Sequence, residues 1–274
     1  GAYPRELLFD IPVRRYMREF PRLLRDAPRV VRRMRARDFR DLPGDLDRDR
    51  FPPYYRRTFH WQTDGYFSDQ SAELYELGVE LLFRGTADVM RRQIIPPITA
   101  FVREHGDELR VLDVACGTGR TLHQLARTHQ RLRLHGADLS PAYVRLARKR
   151  LADVAELTLA VENAEALPWA DGTFDVVTSV YLFHELPRRA RRNVVSEIAR
   201  VVRPGGLVVI EDSAQPSESP ELAAVLHDFP REFHEPFYED YLDDDLARLL
   251  GEAGLIVEAV EPHLVAKVVI ARRA

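Results

Sequence analysis

One stretch constrains the fold more than any other: Val111-Leu112-Asp113-Val114-Ala115-Cys116-Gly117-Thr118-Gly119-Arg120. An apolar run ends in a carboxylate, and a glycine-spaced turn opens into Thr121-Leu122-His123-Gln124-Leu125-Ala126, which reads as a helix. Strand, tight turn and helix begin a nucleotide-binding α/β unit. Gly117 and Gly119 let the backbone turn sharply and let a ligand rest against the main chain. A dinucleotide site would carry a third glycine where Leu122 stands, with a diphosphate on the helix N-terminus. Asp113, aimed into the turn, would repel a diphosphate and suits a cationic ligand instead. A dinucleotide oxidoreductase is therefore disfavoured.

From residue 109 onward strands and helices alternate, the pattern of a doubly wound parallel sheet. The second strand, Leu132–Ala137, ends at Asp138, where a carboxylate accepts hydrogen bonds from both hydroxyls of a ribose. Ser140 then caps a helix with Pro141 at its first position, and Leu139 is placed to pack on a base. The third strand, Leu157–Val161, runs into Glu162-Asn163-Ala164-Glu165. The fourth, Phe174–Val180, preceded by the turn Asp171-Gly172, ends beside the topological switch point and leads into Tyr181-Leu182-Phe183-His184-Glu185-Leu186-Pro187. A helix over Arg191–Val202 feeds Arg203-Pro204-Gly205-Gly206 and a fifth strand, Leu207–Glu211. Leu255–Val260 and Lys267–Arg272 read as a closing hairpin whose last strand is antiparallel.

Four spaced motifs (LDVACGTG, GADLS, ENAEALPW with FDVVTSVYLFHEL, and RVVRPGG) resemble the class I S-adenosylmethionine (SAM) methyltransferases across residues 109–272. The chain is similar to the group that includes the ubiquinone and menaquinone biosynthesis C-methyltransferases. The resemblance implies an α/β, Rossmann-like sheet of seven strands with the last antiparallel. It implies SAM as cofactor and S-adenosylhomocysteine as product. It places Asp113, Ala115, Gly117, Thr118 and Gly119 around the amino-acid end of SAM, with Ala115 replacing a more usual glycine. Asp138 then takes the ribose and Leu139 the adenine, while Asn163 and Ala164 stand where an acidic residue and alanine commonly meet the adenine amino group. Ser179, at the end of the fourth strand, completes the cofactor set. In many small-molecule members the segment before the core folds over the cofactor, which makes Tyr66 and Gln62 lid candidates.

That preceding segment divides in two. Residues 3–57 hold 16 Arg against 9 Asp and Glu, interrupted by Pro12, Pro21, Pro28, Pro43, Pro52 and Pro53. Short amphipathic helices are expected between the prolines, with stripes of Val13, Tyr16, Met17, Phe20, Leu23 and Leu24 and of Val30, Val31 and Met34. Such a segment serves either as a basic surface for an anionic membrane or lipophilic substrate, or as an arm packed on its own domain or a dimer partner. Residues 51–70 crowd Tyr54, Tyr55, Phe59, His60, Trp61, Tyr66 and Phe67 into a loop, the makings of a satellite core or a pocket wall. His60 reads as a general base or a hydrogen-bonded structural histidine. A helix capped by Ser71 and running to Phe83 follows. Residues 1–108 form the expected helical extension and lid, and 109–274 the core, with a cap insertion at about 212–245.

Methyl transfer from a sulfonium is an in-line displacement, so alignment and exclusion of water dominate, and a base is needed only for a hydroxyl or acidic carbon. His184 is the leading base, as neutral imidazole near pH 7, or else a helix-start histidine bonded to backbone. Tyr181 would orient the acceptor or flank the sulfonium, or else belong to the core. His234, Glu235 and Tyr238, in the aromatic cap, are second-rank catalytic candidates. Asp243-Asp244-Asp245 is read as helix capping by Asp243, and no metal is assigned.

A net charge of −3 argues against nucleic acid, and a single cysteine excludes an internal disulfide. No apolar run approaches a bilayer span and no secretory signal peptide is seen, so a cytoplasmic protein is expected, with a homodimer as one assembly the N-terminal arm would serve. The expected activity is methylation at carbon or oxygen of a small, largely apolar acceptor, such as a secondary metabolite, quinone or prenyl-type molecule. The rival is a SAM-binding regulatory or structural protein that no longer transfers methyl groups.

Overall fold

A computed structural model describes residues 1–274, the side chain of Arg231 excepted. In chain order the helices and strands are α1 (Val13–Ala36), α2 (Asp69–Leu82), α3 (Ala87–Arg91), α4 (Ile95–His105), β1 (Arg110–Val114), α5 (Arg120–Thr128), β2 (Arg133–Asp138), α6 (Pro141–Arg150), β3 (Leu157–Val161) and β4 (Phe174–Val180). They continue with α7 (Arg188–Val201), β5 (Val202–Ser213), α8 (Ala223–Glu232), α9 (Tyr238–Leu242), α10 (Leu246–Glu252), β6 (Leu255–His263) and β7 (Ala266–Arg273). Seven strands form one sheet in the order β3-β2-β1-β4-β5-β7-β6. Strands β1 to β5 pair in parallel, and β7 is antiparallel to both β5 and β6. The expected Rossmann-like methyltransferase sheet is therefore present. Its strand order reverses between β1 and β4, where the carboxyl ends diverge and leave a crevice.

The strands are apolar on both faces because helices cover both. On one face Val177, Val208 and Ile210 pack with Val194 and Ile198 of α7 and Leu249 and Leu250 of α10. On the other, Val111, Val176 and Val209 pack with Ile98 of α4, Leu122 of α5 and Val144 of α6. Leu122 explains why the third glycine of a dinucleotide turn can be absent. The close approach it would have provided comes from β2 instead: a Cβ on Gly136 would lie 2.8 Å from Leu122 Cδ1, 2.7 Å from Leu159 Cδ2 and 2.8 Å from Cys116 Sγ. Gly136→Ala is thus expected to overpack the core and destabilise the protein by about 1–3 kcal/mol, read as a lower urea midpoint at unchanged slope.

Three departures from the expected local starts and stops lie in the extension and the cap, and in the core α7 begins at Arg188 rather than Arg191 and β5 at Val202 rather than Leu207. The helix expected from Ser71 begins two residues earlier, because Ser68 accepts the hydrogen bond from Ser71 N at 3.0 Å. Ser140 caps α6 as expected, accepting from Tyr143 N at 3.2 Å. Asp245, not Asp243, caps α10 through Arg248 N at 3.1 Å, while Asp244 is buried 3.2 Å from Arg191 Nε.

The third difference is larger. Instead of short pieces between prolines, residues 13–36 form one helix that passes through Pro21 and Pro28. Both prolines lie on its exposed side. Their lost amide bonds therefore face outward, and inward anchors hold the helix in place. Buried Arg33 donates to the Trp61 carbonyl from Nε at 3.2 Å and from Nη2 at 2.9 Å, and buried Asp26 accepts from Thr63 Oγ1 at 2.5 Å. Arg15 and Arg150 both pair with buried Glu76 of α2. The extension is thereby tied onto the core beside β1 and β2.

Candidate active site

The crevice at the ends of β1, β2 and β4 holds a cavity of about 100 Å³. Its floor is the β1–α5 turn. Ala115 there has φ +60, a left-handed backbone in which a side chain is strained and glycine is not. Gly117, at φ +55, faces open space: nothing lies within 4 Å of the Cβ it lacks. Asp138 closes the turn, Oδ2 accepting from Gly117 N at 2.9 Å and Oδ1 from Ser140 N at 2.8 Å. Burial pushes its carboxyl up to about 6, against the pull of those two amide bonds. Leu139, Asn163 and Ala164 line the same cavity, and Asn163 Oδ1 already accepts from Glu165 N at 2.9 Å, which leaves one lone pair.

The opposite wall is aromatic. Tyr54, Tyr55 and Tyr66 from the loop before α2, Tyr75 from α2 and Tyr143 from α6 all line the cavity. Tyr66 hydroxyl donates to Glu185 Oε1 at 2.5 Å, and Tyr54 hydroxyl to Glu165 Oε1 at 2.6 Å, which bolts this wall to the loops after β3 and β4.

Of the cofactor candidates, Ala115, Gly117, Asp138, Leu139, Asn163, Ala164 and Tyr66 converge on the cavity. The other five stand behind it. Asp113 is buried and accepts from Thr178 Oγ1 at 2.9 Å; burial outweighs that bond and, with Asp138 nearby, pushes its carboxyl up to about 7. Thr118 donates to Glu76, Ser179 Oγ to the Val114 carbonyl at 3.0 Å, and Gln62 Nε2 to Tyr143 hydroxyl at 2.7 Å. Gly119, at φ +82, packs against α6, where a Cβ would meet Leu151 Cδ1 at 2.7 Å.

The catalytic candidates also separate. Tyr181 lines the cavity in a left-handed conformation (φ +57), its hydroxyl 3.0 Å from Met90 Sδ and its ring stacked on Phe83. His184 lies outside the cavity lining, buried, with Nδ1 2.7 Å from Asp212 Oδ1. Burial alone would lower its pKa, but the charge and hydrogen bond of Asp212, with Glu235 and Glu185 nearby, push it up to about 9. It is held as the imidazolium, not as the neutral base expected near pH 7. Asp212 also accepts from Phe183 N at 2.6 Å and Ser213 N at 2.8 Å. Asp212 is a functional residue that no motif in the sequence marks. The parallel pairing of Val180 with Glu211, seen only in the fold, sets residue 212 beside the loop after β4. His234 is stacked between Phe39 and Trp61, and burial together with Arg57 and His60 lowers its pKa to about 4. Tyr238 is buried against the His184 ring.

Glu235 belongs instead with His60. His60 Nε2 lies 2.8 Å from Glu235 Oε1 and 3.5 Å from Glu185 Oε1. Burial works against its charge, yet the two carboxylates push its pKa up to about 10. One ligand atom from each of these three residues lies within 4.8 Å of the others, so a cation could sit there; the imidazolium supplies that positive charge itself. His60 carries a left-handed backbone (φ +51), as does Trp61 (φ +58). It faces a second, mostly apolar cavity of about 310 Å³ beneath α1, with Leu23, Val30, Leu74, Gly78 and Phe233 in its walls. Tyr75 lines both cavities.

Residues 111–206 match the family described as a methyltransferase domain. An O-methyltransferase of Pyrenophora dematioidea is 32% identical over 206 residues, 72% of this chain and 69% of that protein. The ubiquinone/menaquinone biosynthesis C-methyltransferase UbiE of Geobacter sulfurreducens is 36% identical over 111 residues, 39% of this chain. The match spans 43% of UbiE, and several other relatives are likewise matched over less than half their length. Among solved structures, a TehB-like SAM-dependent methyltransferase of Corynebacterium glutamicum superposes with a TM-score of 0.54 at 18% identity, covering 76% of this chain and all of that one, a likeness of fold. With the seven-stranded sheet, the glycine turn and the acid ending β2, these matches place the chain in the class I SAM-dependent methyltransferase family, whose cofactor is S-adenosylmethionine.

Proposed function

We propose that this protein transfers a methyl group to carbon or oxygen of a small, largely apolar molecule, which occupies the 310 Å³ cavity beneath α1. That cavity carries the reading: it has the size of a small-ligand site, its walls are mainly apolar, and it adjoins the nucleoside-type cavity through Tyr75. The donor set fits SAM. Asp138 offers carboxylate oxygens to ribose hydroxyls, Gly117 gives close backbone approach, and Leu139, Asn163 and Ala164 provide an apolar face with one amide for the base. SAM supplies the methyl already activated on a sulfonium. The tyrosine wall closes this cavity to about 100 Å³, below the roughly 300 Å³ of small-ligand sites, so residues 54–66 act as a lid that moves to admit the cofactor.

The chain's own tasks are then alignment, exclusion of water and placement of charge. Tyr181 lies in the wall at the end of β4. The His60–Glu235–Glu185 group meets the acceptor cavity at its boundary with the cofactor cavity: the imidazolium donates to a polar group on the acceptor, and the carboxylates take up the proton of a hydroxyl acceptor. His184, fixed by Asp212, positions the loop that carries Glu185. The relative named for ubiquinone and menaquinone biosynthesis supports quinone or prenyl-type acceptors, and a lipid surface is then the place where the enzyme meets them.

Gly78 tests the acceptor site. It lies in α2, lines the apolar cavity and has nothing within 4 Å of the Cβ it lacks. Gly78→Phe is expected to fill the cavity and cut turnover at least tenfold with SAM affinity unchanged, measured by steady-state kinetics and calorimetry. Unchanged turnover would move the acceptor elsewhere.

A further inference from the structure

We infer that the outer face of α1 is a docking surface for an anionic lipid bilayer. This names the partner from which the proposed apolar acceptor would come, although the surface itself does not depend on methyl transfer. Val13, Met17, Phe20, Leu24, Ala27, Val31 and Met34 follow alternating steps of four and three residues along the helix, and all seven are exposed. That spacing draws one apolar seam along about 32 Å of helix. Met17 is 71% exposed, and Phe9 and Ile11, just before the helix, are 81% and 60% exposed, so the seam continues past the N-terminal end.

The charge beside the seam is of one sign. Arg14, Arg18, Arg25, Arg29, Arg32 and Arg35 are exposed, and every exposed residue of α1 is apolar or arginine; Arg32 alone among these six pairs with an acid, Asp41, 3.7 Å away beyond the helix. The helix has two acidic residues, and both are turned inward and buried: Glu19 beside Arg15 and Arg150, Asp26 on Thr63. An apolar stripe whose exposed charged neighbours on the helix are all arginines lies in a headgroup region, with guanidinium groups on phosphate and side chains reaching the acyl boundary. A second copy of the helix is the poorer occupant, since either orientation would set arginine against arginine without an acid between them. Leu23 and Val30, on the inward flank of the same helix, form a wall of the apolar cavity. A bilayer on the outer face would therefore lie within about one helix diameter of the proposed acceptor site. No helix among the described residues is long and apolar enough to cross a membrane, and this surface requires none.

Co-sedimentation of the full chain with phosphatidylcholine vesicles, with and without 30 mol% phosphatidylglycerol as the chosen probe, tests the inference. Binding is expected to the anionic vesicles, and to weaken as salt rises. Phe20→Glu/Leu24→Glu should abolish it, and Arg18→Ala/Arg25→Ala/Arg29→Ala should weaken it on the order of a hundredfold at low salt. SAM binding by both variants, measured by calorimetry, reports that the fold is intact, and turnover of a water-soluble acceptor should match the wild type. Loss of methyl transfer without loss of vesicle binding would count against the catalytic reading alone. Equal binding to neutral and anionic vesicles, or binding by Phe20→Glu/Leu24→Glu equal to wild type, would overturn the inference. So would a stable dimer that this variant splits while the wild type ignores vesicles.

Discussion

Asp138→Ala is expected to weaken SAM binding on the order of a hundredfold or more, with S-adenosylhomocysteine affected alike. In the site proposed here the carboxylate accepts from two ribose hydroxyls, and charge-assisted hydrogen bonds contribute about 1.5–3 kcal/mol each. The same oxygens hold Gly117 N and Ser140 N, so the substitution also releases the turn under the cofactor and the start of α6. Asp138→Asn keeps one acceptor and should fall between the two. Isothermal titration of the three proteins measures the series. An affinity for Asp138→Ala within threefold of wild type would remove this residue from the site.

Asp212→Ala should be the most destabilising single change in the site, by about 3–5 kcal/mol at neutral pH, because it breaks a buried ion pair and burial then strips the proton from His184. Two backbone amides, of Phe183 and Ser213, lose their acceptor at the same time. The pH dependence is separately diagnostic. His184 has a folded pKa of about 9 against an ordinary 6.5, so its stabilisation is fully present below about pH 6.5 and is lost as pH rises through 9. A shift of that size corresponds to on the order of 3 kcal/mol. His60, at about 10, follows the same sign over a window that opens at the same 6.5 and closes about one unit higher. Buried Glu211, pushed up to about 8 chiefly by desolvation, adds to it: folding favours its neutral form, and that stabilisation disappears as pH climbs through 8. Stability by urea denaturation should thus decline steadily from pH 6 to pH 10. In Asp212→Ala the decline should be shallower by the His184 share. A wild-type profile that is flat or rises across this range would contradict the charge assignment.

Much of the core was legible because its signals are local. The turn at Gly117 and Gly119, the acid closing β2, and the Ser140-Pro141 helix start each lie within a few residues of one another, and each is where expected. What the sequence hid is long-range. His184 and Asp212 are 28 residues apart and meet because β4 and β5 are neighbours in register; neither residue type marks the other in advance. His60 meets Glu185 and Glu235 from three separate segments, and nothing in its residue type marks its left-handed backbone in advance. The stripes on the N-terminal segment were visible, but not their direction. Tyr16, Leu23 and Val30 turn inward while Met17, Leu24 and Val31 face out, and an apolar residue carries no mark of which side it will take. Nor could the prolines announce that they would sit on the exposed side of one continuous helix, where a missing amide donor costs least.

Transfer of radiolabelled methyl from SAM into organic-extractable product tests the central claim most directly, using an acceptor panel of prenylated quinones, phenols and long-chain acids. The account predicts label in at least one apolar product with wild-type protein, and a loss of at least tenfold with Asp138→Ala. Micromolar binding of SAM with no label transferred to any apolar acceptor would contradict it, and would leave a methyltransferase fold that binds the cofactor without using it.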